Sequence, residues 1–245
     1  MPGVPPRIDR LVRALAAAPL LVLACAKPPL PEAGSTVIWG YVRLVPKAGT
    51  EASGGGYGDR RLAEVRRIDY SEMKFAVVFA PDVRSERTEP VELVIRDGGG
   101  GPRLDPPFAS TSPVAGLRVR NASATDQIVS IPEADRIARL APGESRTIDT
   151  LQPGELAVHL LGIHDARPPQ PTHVWVTEGA TAIADRSGRY ELRGLAPGPH
   201  TLRAWHPRLP PSPAHRLELE RDSVVRHDLE IGLDVSSMPP AEARP

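Results

Sequence analysis

The chain has a single cysteine, Cys25, so no disulfide can form within it and no thiolate is available to a later domain. Aromatic residues make up only 4% of the sequence, so hydrophobic cores have to be built from Val, Leu, Ile and Ala. No excess charge of one sign exists, because 30 Lys and Arg balance 30 Asp and Glu. Neither H-E-x-x-H nor G-x-S-x-G occurs. These absences argue against a nucleic-acid-binding protein and against an enzyme.

The first 24 residues contain the three parts of a secretory signal in order. Three arginines within residues 7–13 form a basic n-region, and Ala14–Ala24 is an apolar run too short to cross a bilayer core of about 30 Å. The run ends in VLAC, residues 22–25, which resembles a bacterial lipobox. The resemblance implies cleavage after residue 24 and acylation of Cys25, with palmitate among the chains. We therefore expect an exported lipoprotein, held by default in the outer membrane of a Gram-negative cell.

Short apolar or alternating runs recur along the rest of the chain between Gly, Pro and Asp residues. Such runs, rich in Val and Ile, are typical of strands in β-sandwiches. Only residues 60–70 favour a helix, because apolar residues recur there at every third position. The predicted strands are Thr36–Val45, Lys74–Phe79, Val91–Ile95, Ala115–Arg120, Gln127–Ile131, Glu155–Leu161, His173–Thr177, Arg189–Leu195, His200–Trp205 and Val224–Ile231.

The stretch from Gly188 to Pro207, GRYELRGLAPGPHTLRAWHP, has strongly alternating polarity on both sides of a Pro-Gly turn. Tyr190 and Leu192 alternate with charged residues, which indicates one buried and one solvated face. The passage resembles the carboxypeptidase regulatory-like, transthyretin-related family over residues 173–233. The resemblance implies a small sandwich in which two strands and the Pro-Gly turn form a hairpin. In that family the module accompanies catalytic domains and carries no chemistry of its own.

The middle of the chain resembles a plastocyanin-like, or cupredoxin, domain. The likeness lies in three segments: KFAVVFA at 74–80, VAGLRVRN at 114–121 and AVHLLGIH at 157–164. Their order and spacing match exported bacterial proteins in which such a domain precedes a regulatory-like module. The resemblance implies a Greek-key sandwich with a copper site at one end.

The copper ligands of that family are missing from this chain. A type 1 site needs two His, a Cys thiolate and usually an axial Met. No His follows Asn121 in residues 122–129, Leu161 occupies the thiolate position, and Arg167 occupies the axial position. Only His164 remains of the four. We therefore predict a cupredoxin-like sandwich without copper and without any other cofactor.

A different metal site remains an alternative, because His159, His164 and His173 lie near one another in sequence. His159 and His164 are five residues apart and would face opposite sides of a regular strand, unless a turn at Gly162 brings them together. The interpretation we prefer is that these are surface or strand-end histidines that bind no metal.

The sequence thus predicts an all-β protein of two small Greek-key sandwiches. Its segments are a signal peptide (1–24), a Pro-rich tether (25–34), a cupredoxin-like sandwich (35–170), a regulatory-like sandwich (171–233) and a disordered tail (234–245). The expected function is non-catalytic binding or structural support in the cell envelope, with the membrane and an unknown envelope protein or glycan as partners. Two alternatives are an envelope metal or redox protein related to copper handling, and a carbohydrate-binding accessory protein, which needs an exposed Trp39, Trp175 or Trp205.

Overall fold

The computed structural model describes residues 35–45, 75–149, 151–161 and 169–233. Within these ranges the chain consists of strands and connections, with one 3₁₀ turn at Pro132–Ala134 and no α-helix. No helix in the described ranges is long and apolar enough to cross a membrane. The predicted all-β class is confirmed. The strands are β1 (Thr36–Leu44), β2 (Val77–Arg84), β3 (Val91–Arg96), β4 (Arg103–Asp105), β5 (Phe108–Thr111), β6 (Leu117–Asn121), β7 (Gln127–Ile131), β8 (Arg136–Leu140), β9 (Ser145–Ile148), β10 (Gly154–Leu161), β11 (Thr172–Val176), β12 (Gly179–Ile183), β13 (Arg189–Leu195), β14 (Gly198–Trp205), β15 (His215–Leu219), β16 (Val224–Arg226) and β17 (Leu229–Ile231).

The described strands form four sheets that pack as two sandwiches. The central sandwich joins a sheet of order β5-β11-β10-β7-β8 to one of order β4-β3-β6-β9. The terminal sandwich joins a sheet of order β13-β1-β16, in which β17 also pairs with β1, to one of order β12-β2-β14-β15. We call it the terminal sandwich because its strands come from both ends of the described chain. β1 and β2 lie before the central sandwich in the sequence, and β12–β17 follow it.

The pairing of β1 and β2 differs from the assignment made from the sequence, which placed residues 35–170 in one sandwich. β1 pairs antiparallel with β13 and parallel with β16 and β17. β2 pairs antiparallel with β12 and β14. Both strands therefore belong to the sandwich that contains the regulatory-like stretch. Alternating polarity shows which face of a strand is buried, but it does not show which strand lies beside it.

The predicted hairpin at the Pro-Gly turn is wrong in its pairing. β13 and β14 are buried on alternate residues as predicted, and Gly198 in the turn has φ of 124°. β13 nevertheless pairs with β1, while β14 pairs with β2 and β15, so the two strands lie in opposite sheets. The Pro-Gly turn therefore connects the two sheets of the sandwich. β1 lies beside β13 and β2 lies beside β14, in the places that β14 and β13 would take in a hairpin.

Each sandwich has its own aliphatic core, as the low aromatic content predicts. The central core contains no aromatic residue, and the terminal core contains only Tyr190, whose hydroxyl donates to the carbonyl of His227 at 2.6 Å. The fully buried aliphatic side chains in the two cores include Ile38, Leu195, Leu202, Leu229 and Ile231 in the terminal one, and Leu93, Ile95, Leu117, Ile131 and Leu140 in the central one.

A third cluster, which we call the joint, packs the two sandwiches against each other. It contains Phe75, Val77, Phe79 and Trp205 from the terminal sandwich and Phe108 and Trp175 from the central one. The joint lies between the sheet β12-β2-β14-β15 and the β5–β11 side of the five-stranded sheet. A hydrogen bond of 3.0 Å between the hydroxyls of Ser110 and Thr181 also crosses it.

Several sequence predictions fall outside the described residues. These are the lipidation of Cys25, the tether, the helix at 60–70, the ligand positions of His164 and Arg167, and the tail at 234–245. They stay predictions.

Candidate functional site

Asn121, at the position that precedes the first copper ligand in the resemblance, is the centre of a buried polar network. Its Nδ2 donates to the carbonyl oxygens of Thr125 at 2.8 Å and Leu140 at 2.9 Å. Its Oδ1 accepts from the backbone N–H of Ser123 at 2.9 Å and from the Ser123 hydroxyl at 2.7 Å. Gln127 extends the network by donating to the hydroxyl oxygens of Ser123 and Thr125. The amide thus has a partner for each polar atom and holds the loop together.

Leu161, at the thiolate position, points away from the core of the central sandwich. Its neighbour Leu160 is buried in that core, whereas Leu161 is 43% exposed on the outer face of the five-stranded sheet. Leu161 lies directly opposite Ile128 of β7 in the strand pairing. Asn121 and Leu161 therefore have different surroundings: Asn121 is enclosed in a polar network and Leu161 faces outward.

His159 and His173, two of the three histidines considered for a metal site, lie on the same outer face of adjacent strands. Ala157 of β10 pairs with His173 of β11, so His159 is two residues farther along on the same side. The Nδ1 atom of His173 lies 2.9 Å from a carboxylate oxygen of Glu155. Within the described part of the chain, no group of three or more His, Cys, Asp or Glu side chains is arranged to hold a metal ion.

His206 follows β14 directly and is buried at the edge of the joint. Its ring stacks on Phe75 with 5.3 Å between centroids, and its Nδ1 accepts the backbone N–H of Arg208 at 3.2 Å. Burial lowers the pKa of His206 to about 4, and the nearby charges of Arg208 and His173 act in the same direction. His206 thus lies at a strand end, next to Trp205, which is buried in the joint. The proximity of His206 to His173 had no signal in the sequence.

The three tryptophans are covered rather than displayed. Trp205 is buried in the joint and stacks on half-buried Trp175 at 4.9 Å between centroids. Trp39 is 8% exposed on the outer face of β1, with the guanidinium carbons of Arg189 and Arg226 at 5.6 and 5.4 Å from its ring centroid. A sugar platform needs an open aromatic face, and none of the three tryptophans offers one.

A second histidine pair lies in the terminal sandwich, where His215 begins β15 and His227 lies between β16 and β17. The rings of His215 and His227 meet edge to face with 5.0 Å between centroids. Burial lowers the pKa of both groups, which Glu230 opposes at His215 and Asp228 opposes at His227. The two histidines come from separate strands and connections, so only the fold brings them together.

Three exposed aliphatic side chains form a patch on the half of the five-stranded sheet that the terminal sandwich leaves uncovered. They are Ile128 on β7, Ile137 on the edge strand β8 and Leu161 on β10, with exposures of 39%, 73% and 43%. The pairing places Leu161 opposite Ile128, and Ile137 opposite Ser130 on the same face. We call this the aliphatic patch. Arg139 on β8 lies beside the aliphatic patch on the same face and forms an ion pair with Asp126.

The comparisons with known proteins are limited to solved structures, since no protein-family model and no curated protein matches the chain. One similar structure is the novel purple cupredoxin from Nitrosopumilus maritimus. It is 12% identical, with a TM-score of 0.29 over 36% of this chain and 99% of that chain. Another is a multicopper oxidase at 13% identity, with a TM-score of 0.25 over 51% of this chain and 89% of that chain. Scores this low carry no argument about function, so the site has to be judged from its own residues.

Proposed function

We propose that this chain is a lipid-anchored protein of the cell envelope, and that it serves as a non-catalytic module for binding another envelope protein. In this proposal the central sandwich is a cupredoxin-like fold that has lost copper, and the terminal sandwich is a regulatory-like fold that includes β1 and β2. The observation that carries the binding role is the aliphatic patch.

A protein partner suits this patch better than a glycan does. Ile128, Ile137 and Leu161 offer branched side chains on three adjacent strands, and such apolar surface is stabilised when a protein partner removes it from water. Glycans are bound on open aromatic rings, and the tryptophans of this chain are covered by other side chains. The position of Asn121 is occupied by a closed hydrogen-bond network, which favours a structural role for the loop over a metal centre.

The partner can be found by photo-crosslinking in cells that make the full-length protein. A photoreactive amino acid replaces Ile137 in one variant and Val114, on the β5–β6 connection, in a matched control. The two side chains are similarly exposed, at 73% and 77%, but Val114 lies outside the aliphatic patch. We expect one discrete crosslinked protein from position 137 and none from position 114. Equal crosslinking at both positions, or none at position 137, would contradict the proposed role of the patch.

The anchor is tested separately by the substitution Cys25→Ala. We expect loss of palmitate labelling and release from the membrane fraction, because in lipobox proteins the Cys thiol receives the diacylglycerol and acylation of the new amine follows cleavage before that Cys. Retained labelling in the variant would show that the lipoprotein interpretation is wrong, whatever the outcome at the aliphatic patch.

A further inference from the structure

We propose that the joint is an acid-sensitive contact: neutral His206 keeps the two sandwiches packed together, and protonation of His206 releases them from each other. This inference concerns the joint alone and does not rest on the proposed partner of the aliphatic patch.

The hydrogen bonds around His206 require its neutral form. The backbone N–H of Arg208 points at Nδ1 with an N–N distance of 3.2 Å, so Nδ1 acts as an acceptor and carries no proton. The residue is 7% exposed, and the N–H of Leu209 donates to its carbonyl at 3.0 Å. A proton on Nδ1 would point at the N–H of Arg208, so two donors would face each other. The short turn from His206 to Leu209 leaves the imidazole ring little room to rotate away.

The side chains around His206 come from both sandwiches and offer no compensating anion. Phe75 covers one face of the ring, Arg208 lies two residues ahead on the same connection, and His173 approaches from β11. The carboxylate of Glu155 on β10 lies 2.9 Å from Nδ1 of His173. Among the described residues, no carboxylate pairs with His206. An added positive charge would therefore lie near the guanidinium of Arg208 and the ring of His173, both of which lower the pKa of His206.

The direction of the pH effect follows from the pKa of His206 in the packed state and in the released state. Burial lowers the pKa of His206 to about 4 in the packed state, while an imidazole in water has a pKa of about 6.5. Between these values a released His206 takes up a proton and a packed one does not. Acid therefore shifts the equilibrium toward the released state, and the effect grows as the pH falls through this window.

Each sandwich is expected to stay folded when the joint opens, because each has its own aliphatic core. The joint cluster is separate from both aliphatic cores, and among the described residues neither core includes a histidine. Protonation of His206 therefore acts on the ring contacts between the sandwiches and leaves the buried aliphatic contacts within each one unchanged.

Circular dichroism of the full chain can separate opening from unfolding. The Trp175–Trp205 stack spans the joint and gives a near-UV signal, while the far-UV signal reports the strands. On lowering the pH from 7 to about 4, we expect the near-UV signal to be lost and the far-UV signal to stay. An unchanged near-UV signal, or simultaneous loss of both signals, would overturn the proposal.

Two variants connect the change to His206. His206→Phe keeps a ring on Phe75 but cannot be protonated, and His206→Asn keeps an oxygen acceptor for the Arg208 N–H. We expect the near-UV change to disappear in both, while the control His159→Asn, on the outer face of β10, retains it. A change that survives in both variants would overturn the proposal.

Should neither variant fold at pH 7, as judged by far-UV dichroism, His173→Gln provides the test. It removes a neighbour that lowers the pKa of His206 and leaves Glu155 unpaired. Both effects favour the protonated imidazole, so we expect the transition to move to higher pH. A transition at the unchanged pH would exclude His206 as the group that titrates.

Discussion

The cores of the two sandwiches and the joint between them are built from different residue types. Branched aliphatic side chains fill the space between the paired sheets of each sandwich, where layers about 10 Å apart have to interdigitate. The joint instead collects all three phenylalanines of the chain and two of its three tryptophans. Each aromatic ring buries a large area, so a few rings are enough to form a contact between two sheets. A chain with few aromatics therefore places them where two finished sheet surfaces meet over a small area.

The same two regions also differ in how they respond to acid. Among the described residues, the aliphatic cores include no histidine, whereas His206 is buried beside the joint and His173 lies next to it. Loss of the joint is expected to depend on pH through His206, and the terminal sandwich also loses stability in acid through His215 and His227, which lie outside its aliphatic core. The following variants test this difference, from the largest expected effect to the smallest.

Phe79 tests whether ring contacts hold the joint. It is buried on β2 and lies 5.3 Å from Trp175 between centroids. Phe79→Ala should cost roughly 3–5 kcal/mol of unfolding free energy. Phe79→Leu should cost less, because most apolar area is kept and only about 1 kcal/mol of ring–ring interaction is lost. Urea denaturation followed by the near-UV dichroism of the Trp175–Trp205 stack measures both values, and equal losses would mean that the joint does not depend on rings.

Leu160 and Leu161 are adjacent residues that face opposite sides of β10. Leu160→Ala opens a cavity in the central core and should cost roughly 2–5 kcal/mol. Leu161→Ala changes an exposed side chain and should cost less than about 0.5 kcal/mol. Urea denaturation followed by far-UV dichroism compares them, and similar values for the two would show that the assigned faces of β10 are wrong.

The pH dependence of stability tests the histidine at the joint. The pKa of His206 is lowered to about 4 in the folded chain, so its contribution is fully present above the unfolded pKa near 6.5 and decreases as the pH falls toward 4. The decrease should reach roughly 3 kcal/mol at about pH 4. Burial lowers the pKa of His215 and His227 as well, which adds a loss of the same sign. Urea denaturation at a series of pH values should give a shallower profile for His206→Asn than for the unchanged chain, and identical profiles would exclude His206.

Asn121 tests the buried polar network in the connection between β6 and β7. Asn121→Leu removes the hydrogen-bond partner of the Leu140 carbonyl and of the buried backbone N–H of Ser123, which should cost about 1–3 kcal/mol. Ala124→Leu, at an exposed position of the same loop, is the control for added apolar bulk and should change stability little. Urea denaturation measures the free energy of unfolding of both variants. An equal decrease in the two would show that the hydrogen bonds of Asn121 do not stabilise the fold.

The sequence predicted the limits of some strands and missed others. β7 and β13 have the predicted limits, because turn residues bound both runs. β9, with the sequence SRTI, was missed because three of its four residues are exposed and no apolar face marks it. The predicted run Val224–Ile231 is interrupted at His227 and Asp228, where β1 changes partner from β16 to β17.

The candidate site was predictable only in part. The missing thiolate and the missing histidine after Asn121 can be read from the sequence, because each is a statement about one position. The exposure of Leu161 beside Ile128, and the contact of His206 with Phe75, involve residues far apart in the chain. Nothing local to those residues distinguishes a buried histidine from an exposed one.

The sequence by itself determined the all-β class, the aliphatic nature of the cores and the absence of a thiolate in the folded domains. These properties follow from composition and from the two-residue period of a strand, which act locally. The tertiary structure decided which strands pair, that β1 and β2 join the terminal sandwich, and that the scarce rings meet at one joint. Strand partners are chosen by packing between segments distant in sequence, and the free energy of that packing has no local signature in the chain.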